Sequence, residues 1–370
     1  MSQINIVGAG LSGLSFAIKA RLSGENVTLF DKSAPPITTS GLSSNVISIN
    51  KRSGRFLKSL GVLDRLEDSS RTNFHEIVVN DSDGIGRVRF SSKALQEDYL
   101  GFIIEADALR YAMLELAKSL DIQIFWQYPF ALDLLKCDLF VGADGPNSAA
   151  RQALGMKTLQ YPYAQSANVC VVEATRPIEG AAFQWFGKEG PLALLPLSQS
   201  GRYAVIWSSP QDFGIQPEDY FEKEINRRTQ GELGKLKVST KRRCFPLQQK
   251  HALRYVVDGV ALIGDSAHTI HPLAGQGGNL GFADAEVLAD EISLSKIEGL
   301  ELRNKKILRR YQRKRRSEAL MFGLTMEAFH RFYGSRNPGV QLVRSLGMNH
   351  IQESDHLKRI AMSIAASGFF

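Results

Sequence analysis

Residues 4–32 read INIVGAGLSGLSFAIKARLSGENVTLFDK, and the order of signals in them decides the fold. A strand-like apolar run ends in Gly8, Gly10 and Gly13. Leu11, Leu14, Ile18 and Leu22 then recur at helical spacing, Gly24 stops the helix, and VTLFD reads as a second strand. The spacing predicts a βαβ unit with a G-x-G-x-x-G turn between strand and helix. In such a unit the glycines serve a tight turn, close approach of backbone N–H groups to a pyrophosphate, and close packing of helix on strand. The helix amino terminus faces the phosphates. Asp31, eighteen residues after Gly13, ends the second strand where an acid binds ribose hydroxyls, and Lys32 beside it is a further candidate contact. The unit predicts dinucleotide binding without separating FAD from NAD.

Two later stretches repeat the pairing of a strand end with glycine and aspartate. A helix with Leu109, Met113, Leu116, Ala117 and Leu120 on one face leads into the strand-like DIQIF. Residues 137–151, CDLFVGADGPNSAAR, then break from a buried strand at Asp144 and Gly145 before another helix. An ordinary strand-to-helix turn with an Asp or Ser cap is the plainer reading of that stretch taken alone. Residues 260–285, VALIGDSAHTIHPLAGQGGNLGFADA, place Gly264 and Asp265 at a strand end. A bare loop at 275–278 then runs into a helix expected near Asn279 or Leu280. An acid at a strand end can accept hydrogen bonds from a polyol. A glycine loop capped by a helix amino terminus presents bare N–H groups to a planar, electron-rich ring. His268 and His271 stand at i and i+3, but Pro272 and the glycines oppose a helix there and no third ligand is adjacent. They are read as packing or hydrogen-bonding groups, with no metal expected.

The 370-residue chain, 44% hydrophobic and 22% charged, has the composition of a globular protein with two intertwined lobes and a terminal extension. Cys137, Cys170 and Cys244 are odd in number and far apart, which fits a reducing, cytoplasmic setting. No run approaches the ~20 apolar residues that cross a bilayer. The net charge of +7 concentrates in residues 303–316, RNKKILRRYQRKRR, where nine of fourteen residues are basic. A solvated helix face is the plain reading of that run, and contact with an anionic membrane surface is the alternative. No nucleic acid is expected, because the aromatic interleaving of single-strand binders is missing. FHEIVVND, GRVRF, ANVCVVEA, AAFQWF, PLALLPL and RYAVIWS are strand-like and form a substrate lobe. There Phe183, Trp185, Leu195 and Pro196, with Phe186, are candidates to line an apolar pocket, sheet core being the plainer reading of each.

Together, GAGLSG, GADGPNSAAR and IGDSAHTIHPLAGQGGNLGFADA resemble the triple signature of the class A flavoprotein aromatic monooxygenases. More closely, the chain resembles the FAD-dependent hydroxylase family of ubiquinone biosynthesis. RRCFPLQQKHALRYVVDG, YAQSANVCVVEA, LGFIIEADAL and YQRKRRSEALMFGLTMEAFHRFY extend that likeness over nearly the full length. The resemblance implies an α/β architecture. An FAD-binding Rossmann-like domain (1–70, 100–158 and 250–295) carries an inserted, mainly antiparallel β-sheet substrate domain (71–99 and 159–249) and a C-terminal helical segment (296–370). It further implies FAD as cofactor, NADH or NADPH as transient reductant, O2 as co-substrate, and hydroxylation of a polyprenylated ubiquinone precursor.

By position, Gly8, Gly10, Gly13 and Asp31 would hold the ADP half of FAD, with Arg110 as an extra contact. Asp144 and Gly145 would lie on the pyrophosphate side, and Gly264 and Asp265 at pyrophosphate and ribityl oxygens. Pro272, Gly275, Gln276, Gly277, Gly278 and Asn279 would line the isoalloxazine. No protein base is assigned, the flavin being the reagent. The chain departs from the family in carrying Asn45 where an arginine usually aligns, and WQYPFALDLLK where a longer hairpin usually stands; the central sheet is expected to survive that loss. The implied setting is cytoplasmic, with peripheral membrane contact through the basic C-terminal segment and membership of a ubiquinone-biosynthesis complex as further expectations. Competing readings are a flavin-dependent reductase acting on a lipid and a flavin-binding scaffold.

Overall fold

The strands that end at the three glycine-acid turns lie side by side. In the computed structural model, which describes residues 2–36, 45–270, 277–335 and 337–364, Gln3–Val7 pairs in parallel with Asn26–Asp31 on one side and Leu139–Gly142 on the other. Leu139–Gly142 in turn pairs in parallel with Val260–Leu262. Gln123–Trp126 and the short antiparallel Val256–Val257 form the two edges of this six-stranded sheet. Strands covered on both faces must be apolar throughout, and Leu139–Gly142 and Val260–Leu262 are wholly buried. One core joins them to Leu14, Phe16 and Ile18 of the helix Leu11–Leu22, to Leu109 and Met113 of Ala106–Ser119, and to Phe282, Leu288 and Ile292 of Gly277–Ile297. The chain leaves Gln3–Val7 toward both sides of the sheet. Its carboxyl end is therefore a switch point, where open α/β sheets leave a crevice.

A nine-stranded sheet stands against this body. Its order runs His268–Thr269, Arg243–Ala252, Thr158–Ala174, Arg202–Pro210, Leu192–Pro196, Ala181–Phe186, Glu76–Asp81, Arg87–Ser91, with Leu236–Val238 added on Thr158–Ala174. All pairings are antiparallel except that of Ala181–Phe186 with Glu76–Asp81. Since His268–Thr269 follows the third turn directly, this sheet is tied to the six-stranded body at His251 opposite His268. Val46–Asn50, Gly101–Glu105 and Arg71–Phe74 make a small sheet between the two large ones. Arg71–Phe74, assigned from sequence to the substrate domain, thus pairs with a strand assigned to the nucleotide domain. The central sheet is whole: residues 127–138 connect its strands through the 3-10 helix Leu132–Leu135, with Tyr128 against Phe30 and Phe130 against Phe140.

The C-terminal segment is helical, as Lys305–Gly334, Pro338–Glu353 and Asp355–Ile364, and its first helix is built into the core through Leu308, Tyr311 and Ala319. The second covers the sheet's last strand. Asn349 Oδ1 and Gln352 Oε1 accept the N–H groups of Arg87 and Arg89 at 3.2 and 2.8 Å. Those edge donors, which would otherwise invite another chain, are thereby satisfied. The basic run is largely matched from within. Arg310 and Lys314 meet Glu291, Lys306 and Arg310 meet Glu298, and Arg315 meets Asp284. Six of its nine basic side chains are nonetheless exposed, as a solvated face requires, and Arg315 alone is buried; the matching acids lie on and just beyond a different helix, Gly277–Ile297, brought alongside only by folding. Among the described residues no helix is long and apolar enough to cross a membrane.

Candidate functional site

At the first turn the glycines divide by role. Gly8 has φ +107°, and a side chain there would run into the carbonyl of Ala143; one on Gly13 would run into the carbonyl of Gly8. These two close the turn on the neighbouring strand end. Gly10 has an ordinary extended backbone (φ −82°), and a Cβ on it would meet nothing within 4 Å. The space in front of it is open. Asp31 braces the loop: Oδ2 accepts the Ala9 N–H at 2.7 Å and Oδ1 the Ser33 N–H at 2.8 Å. Each oxygen keeps a further lone pair for a ligand hydroxyl. Arg110 Nε donates to the Ala9 carbonyl at 2.8 Å, its Nη2 lies 3.9 Å from Asp31 Oδ2, and its guanidinium stands over Trp126. It clamps the loop from behind. Lys32 is exposed at the strand end.

The second turn is stapled to the third by residues that sequence reasoning missed. Arg151, 4% exposed, donates to the carbonyls of Ser266 (2.7 Å) and Pro146 (2.9 Å), and Ser266 Oγ donates to the Gly142 carbonyl at 2.5 Å. Lys250, from the substrate sheet, donates to Asn147 Oδ1 at 2.7 Å. Burial lowers the pKa of both cations, with Asp144 opposing this at Arg151 and Arg151 adding to it at Lys250. The arginine closing GADGPNSAAR was a visible cue, but its partner lies 115 residues on. Asp144 Oδ2 accepts the Ala150 N–H at 3.2 Å, while Oδ1 is buried without a partner; a Cβ on Gly145 would meet nothing.

At the third turn the Asp265 side chain is exposed, although its protein surroundings are dense enough for desolvation to raise its pKa, with His268 opposing and Asp284 adding. Beneath it Asp284 Oδ2 accepts the Gly264 N–H at 2.8 Å and lies 2.6 Å from His268 Nε2, while Oδ1 accepts from Arg315 Nε at 2.7 Å. His268 is therefore a hydrogen-bonding group within the turn. Asn279 uses both ends of its amide on the strand Val46–Asn50, accepting the Asn50 N–H at 3.1 Å and donating to the Ser48 carbonyl at 2.8 Å. Any contact of Asn279 with a ring falls to its backbone. The helix begins at Gly277, two residues before Asn279, with Gly277 exposed and Gly278 half-buried. His271, Pro272, Gly275 and Gln276 lie outside the described residues.

The candidate pocket residues separate by face. Phe183 and Trp185 pack with Trp207 against Phe221 and Ile225 of the helix Glu218–Thr229, on the opposite face from the cluster of Leu195, Ile206 and Ile103. Pro196 pairs with Tyr203, which belongs to that same outer cluster. Phe186 packs on Phe329 and Tyr333 of the C-terminal helix. Leu195 is on the inner face with Ala193, Ile206 and Ile103. Phe183, Trp185 and Pro196 are thus sheet core and not pocket lining; side chains alternate along a strand, and the sequence does not say which parity faces inward.

His251 lies at the seam of the two bodies, 7% exposed, with Nε2 buried and without a partner. Burial, then His268 and Arg316, push its imidazole down from 6.5 to about 4 against the pull of Asp284. Between these values the unfolded chain binds the proton and the folded chain does not, so stability falls as pH falls through that window. The difference amounts to roughly 3 kcal/mol. His251→Phe is expected to remove about 2–3 kcal/mol of the stability difference between pH 7 and 4.5, read by urea denaturation. An unchanged pH profile would count against a neutral buried imidazole.

The bare Gly10 and Gly145, the unpartnered Asp144 oxygen and the exposed Asp265 stand at three adjacent strand ends, a donor and acceptor set that fits a dinucleotide bearing a polyol. Residues 133–321, just over half of the chain, match the family described as FAD binding domain. This chain belongs to that FAD-binding family. Residues 6–38 also match an NAD(P)-binding Rossmann-like domain, over the first βαβ unit. Among similar proteins, 3-demethoxyubiquinol 3-hydroxylase of Escherichia coli (strain K12) is 28% identical, over 98% of each chain. Ubiquinone hydroxylase UbiL of Rhodospirillum rubrum is 29% identical, over 98% of this chain and 89% of the relative. The crystal structure of p-nitrophenol 4-monooxygenase PnpA from Pseudomonas putida DLL-E4 superposes with a TM-score of 0.80 at 17% identity, covering 100% of this chain and 99% of that one. This last likeness speaks for the fold. The mixed α/β architecture and the family resemblance read from the three motifs both hold.

Proposed function

We propose that this FAD-binding protein is a monooxygenase that uses NADH or NADPH and O2 to hydroxylate the aromatic ring of a polyprenylated ubiquinone precursor. The observation that carries the reading is the convergence of three glycine-acid turns at the carboxyl ends of adjacent parallel strands, beneath a β-sheet whose inner face is apolar. The hydroxylases of ubiquinone biosynthesis among the relatives supply the substrate class. When bound, FAD supplies the redox and oxygen-transfer chemistry. The chain binds and orients. Gly10 and the amino terminus of Leu11–Leu22 would hold pyrophosphate, Asp31 would accept from the ribose hydroxyls, and Asp144 and Asp265 from the ribityl hydroxyls. The amino terminus of Gly277–Ile297 would favour negative charge on the ring side. Ala193, Leu195 and Ile206, on the inner sheet face, would help exclude water above it. In this reading the six-stranded body is the FAD domain and the nine-stranded sheet the substrate domain.

A lipid-borne substrate calls for contact with a bilayer. Leu342, Val343 and Leu346 on the outer side of Pro338–Glu353 are 57–63% exposed, and Arg309 and Arg313 are exposed on the preceding helix. These support peripheral contact through an apolar helix face more than through the basic run. The purified protein is expected to show a flavin spectrum and NAD(P)H oxidation stimulated by a short-tailed polyprenylphenol in air, with a hydroxylated product, and none under nitrogen. Product formed without oxygen would replace the hydroxylase with a reductase. A bound flavin with negligible NAD(P)H oxidation would leave a scaffold.

A further inference from the structure

We infer that Arg315, on the C-terminal helix Lys305–Gly334, is a positioning residue for the cofactor turn at Gly264 and Asp265, acting through Asp284. The inference rests on the FAD reading and adds a part of the chain that none of the three motifs contains. Arg315 and Asp284 are both fully buried, with Arg315 Nε 2.7 Å from Oδ1. Asp284 Oδ2 receives the Gly264 N–H at 2.8 Å and stands 2.6 Å from His268 Nε2, so both carboxylate oxygens are engaged.

A buried ion pair serving only as filler is replaceable by apolar side chains. This one is aimed, since the hydrogen bond to Gly264 determines where the next residue, Asp265, presents its carboxyl. Gly264 has φ +61°, and a Cβ on it would press on Ser12 of the first glycine helix, so the turn has little room to relax. One helical turn earlier, Tyr311 donates its hydroxyl to the Leu262 carbonyl at 2.7 Å. The same helix thus holds the end of the strand and, through Asp284, the turn that follows it. Beyond Arg315 the network continues to Glu318, and Arg52 stands 3.6 Å from that carboxylate. Burial works against the Asp284 charge, yet His268 and Arg315 outweigh it and keep the carboxyl below its ordinary range.

The test compares FAD with AMP, which the first turn alone would hold, by calorimetry on the full-length apoprotein, with thermal melts alongside. Wild type is expected to bind both. Asp284→Asn is expected to weaken FAD about tenfold or more and to leave AMP within about twofold, as loss of a charged hydrogen-bond acceptor requires. Arg315→Lys should recover most of the FAD affinity that Arg315→Gln loses. Should Arg315→Gln fail to fold, the double variant Asp284→Asn/Arg315→Gln, with no unpaired charge, is expected to fold and still bind FAD weakly. Unchanged FAD affinity in folded Asp284→Asn, or equal loss of FAD and AMP, would overturn the positioning role. A wild-type protein that takes up neither ligand sinks the cofactor reading itself.

Discussion

Gly10→Val is expected to leave the protein folded and to abolish FAD uptake. At Gly10 the backbone is extended, with φ −82° and ψ −178°, a region valine enters readily, and no atom stands within 4 Å of an added Cβ. The change in stability should therefore stay within about 0.5 kcal/mol. The isopropyl group instead fills the space in front of the Leu11–Leu22 amino terminus, where a pyrophosphate meets backbone N–H groups. Loss of two such charge-assisted bonds, at about 1.5 kcal/mol each, corresponds to a hundredfold or greater fall in affinity. Flavin fluorescence titration reads the affinity and a thermal melt the fold. Gly13→Val is the contrasting variant: its Cβ meets the Gly8 carbonyl, so the protein should fail to fold whatever ligand is present. A Gly10→Val protein that takes up FAD normally would remove this turn as the phosphate cradle.

Arg344→Met is expected to destabilise the protein by about 3–5 kcal/mol, because it strands a buried carboxylate. Arg344 Nε and Nη2 donate to Asp81 at 2.7 and 2.5 Å, and Nη1 donates to the Tyr333 carbonyl at 2.9 Å. Both charged side chains are fully buried. Ser345 Oγ adds a donor to Asp81 at 3.0 Å, too little to offset a lost cation. The pair pins Pro338–Glu353 across the turn between Glu76–Asp81 and Arg87–Ser91, so its loss should also free the edge donors of Arg87 and Arg89 and promote association of chains. Urea denaturation measures the first effect and light scattering near the melting midpoint the second. Asp81→Asn combined with Arg344→Met should recover much of the stability, since no charge is then left unpaired. A single variant as stable as wild type would show that the pair contributes nothing.

Chain order alone was enough for the βαβ unit, for the parallel strands that end at Asp144 and Asp265, and for the helical C-terminal segment. Each rests on signals carried within about thirty residues: an apolar run, a glycine turn, a 3.6-residue period. The glycine pattern was legible for the same reason, although only the folded chain separates Gly8 and Gly13, which pack, from Gly10, which is left bare. What stayed hidden is what depends on distant partners. Arg151 reaches Ser266 across 115 positions and Arg344 reaches Asp81 across 263, and no local period announces such a pair. The basic run is largely the solvated face its composition predicts, but its matching acids come from a neighbouring helix, and nothing local marks Arg315 as its buried member. Phe183 and Trp185 could be read as pocket residues because a strand alternates between two faces; the packing of helix Glu218–Thr229 on one face decides that both turn outward, while Leu195 turns inward.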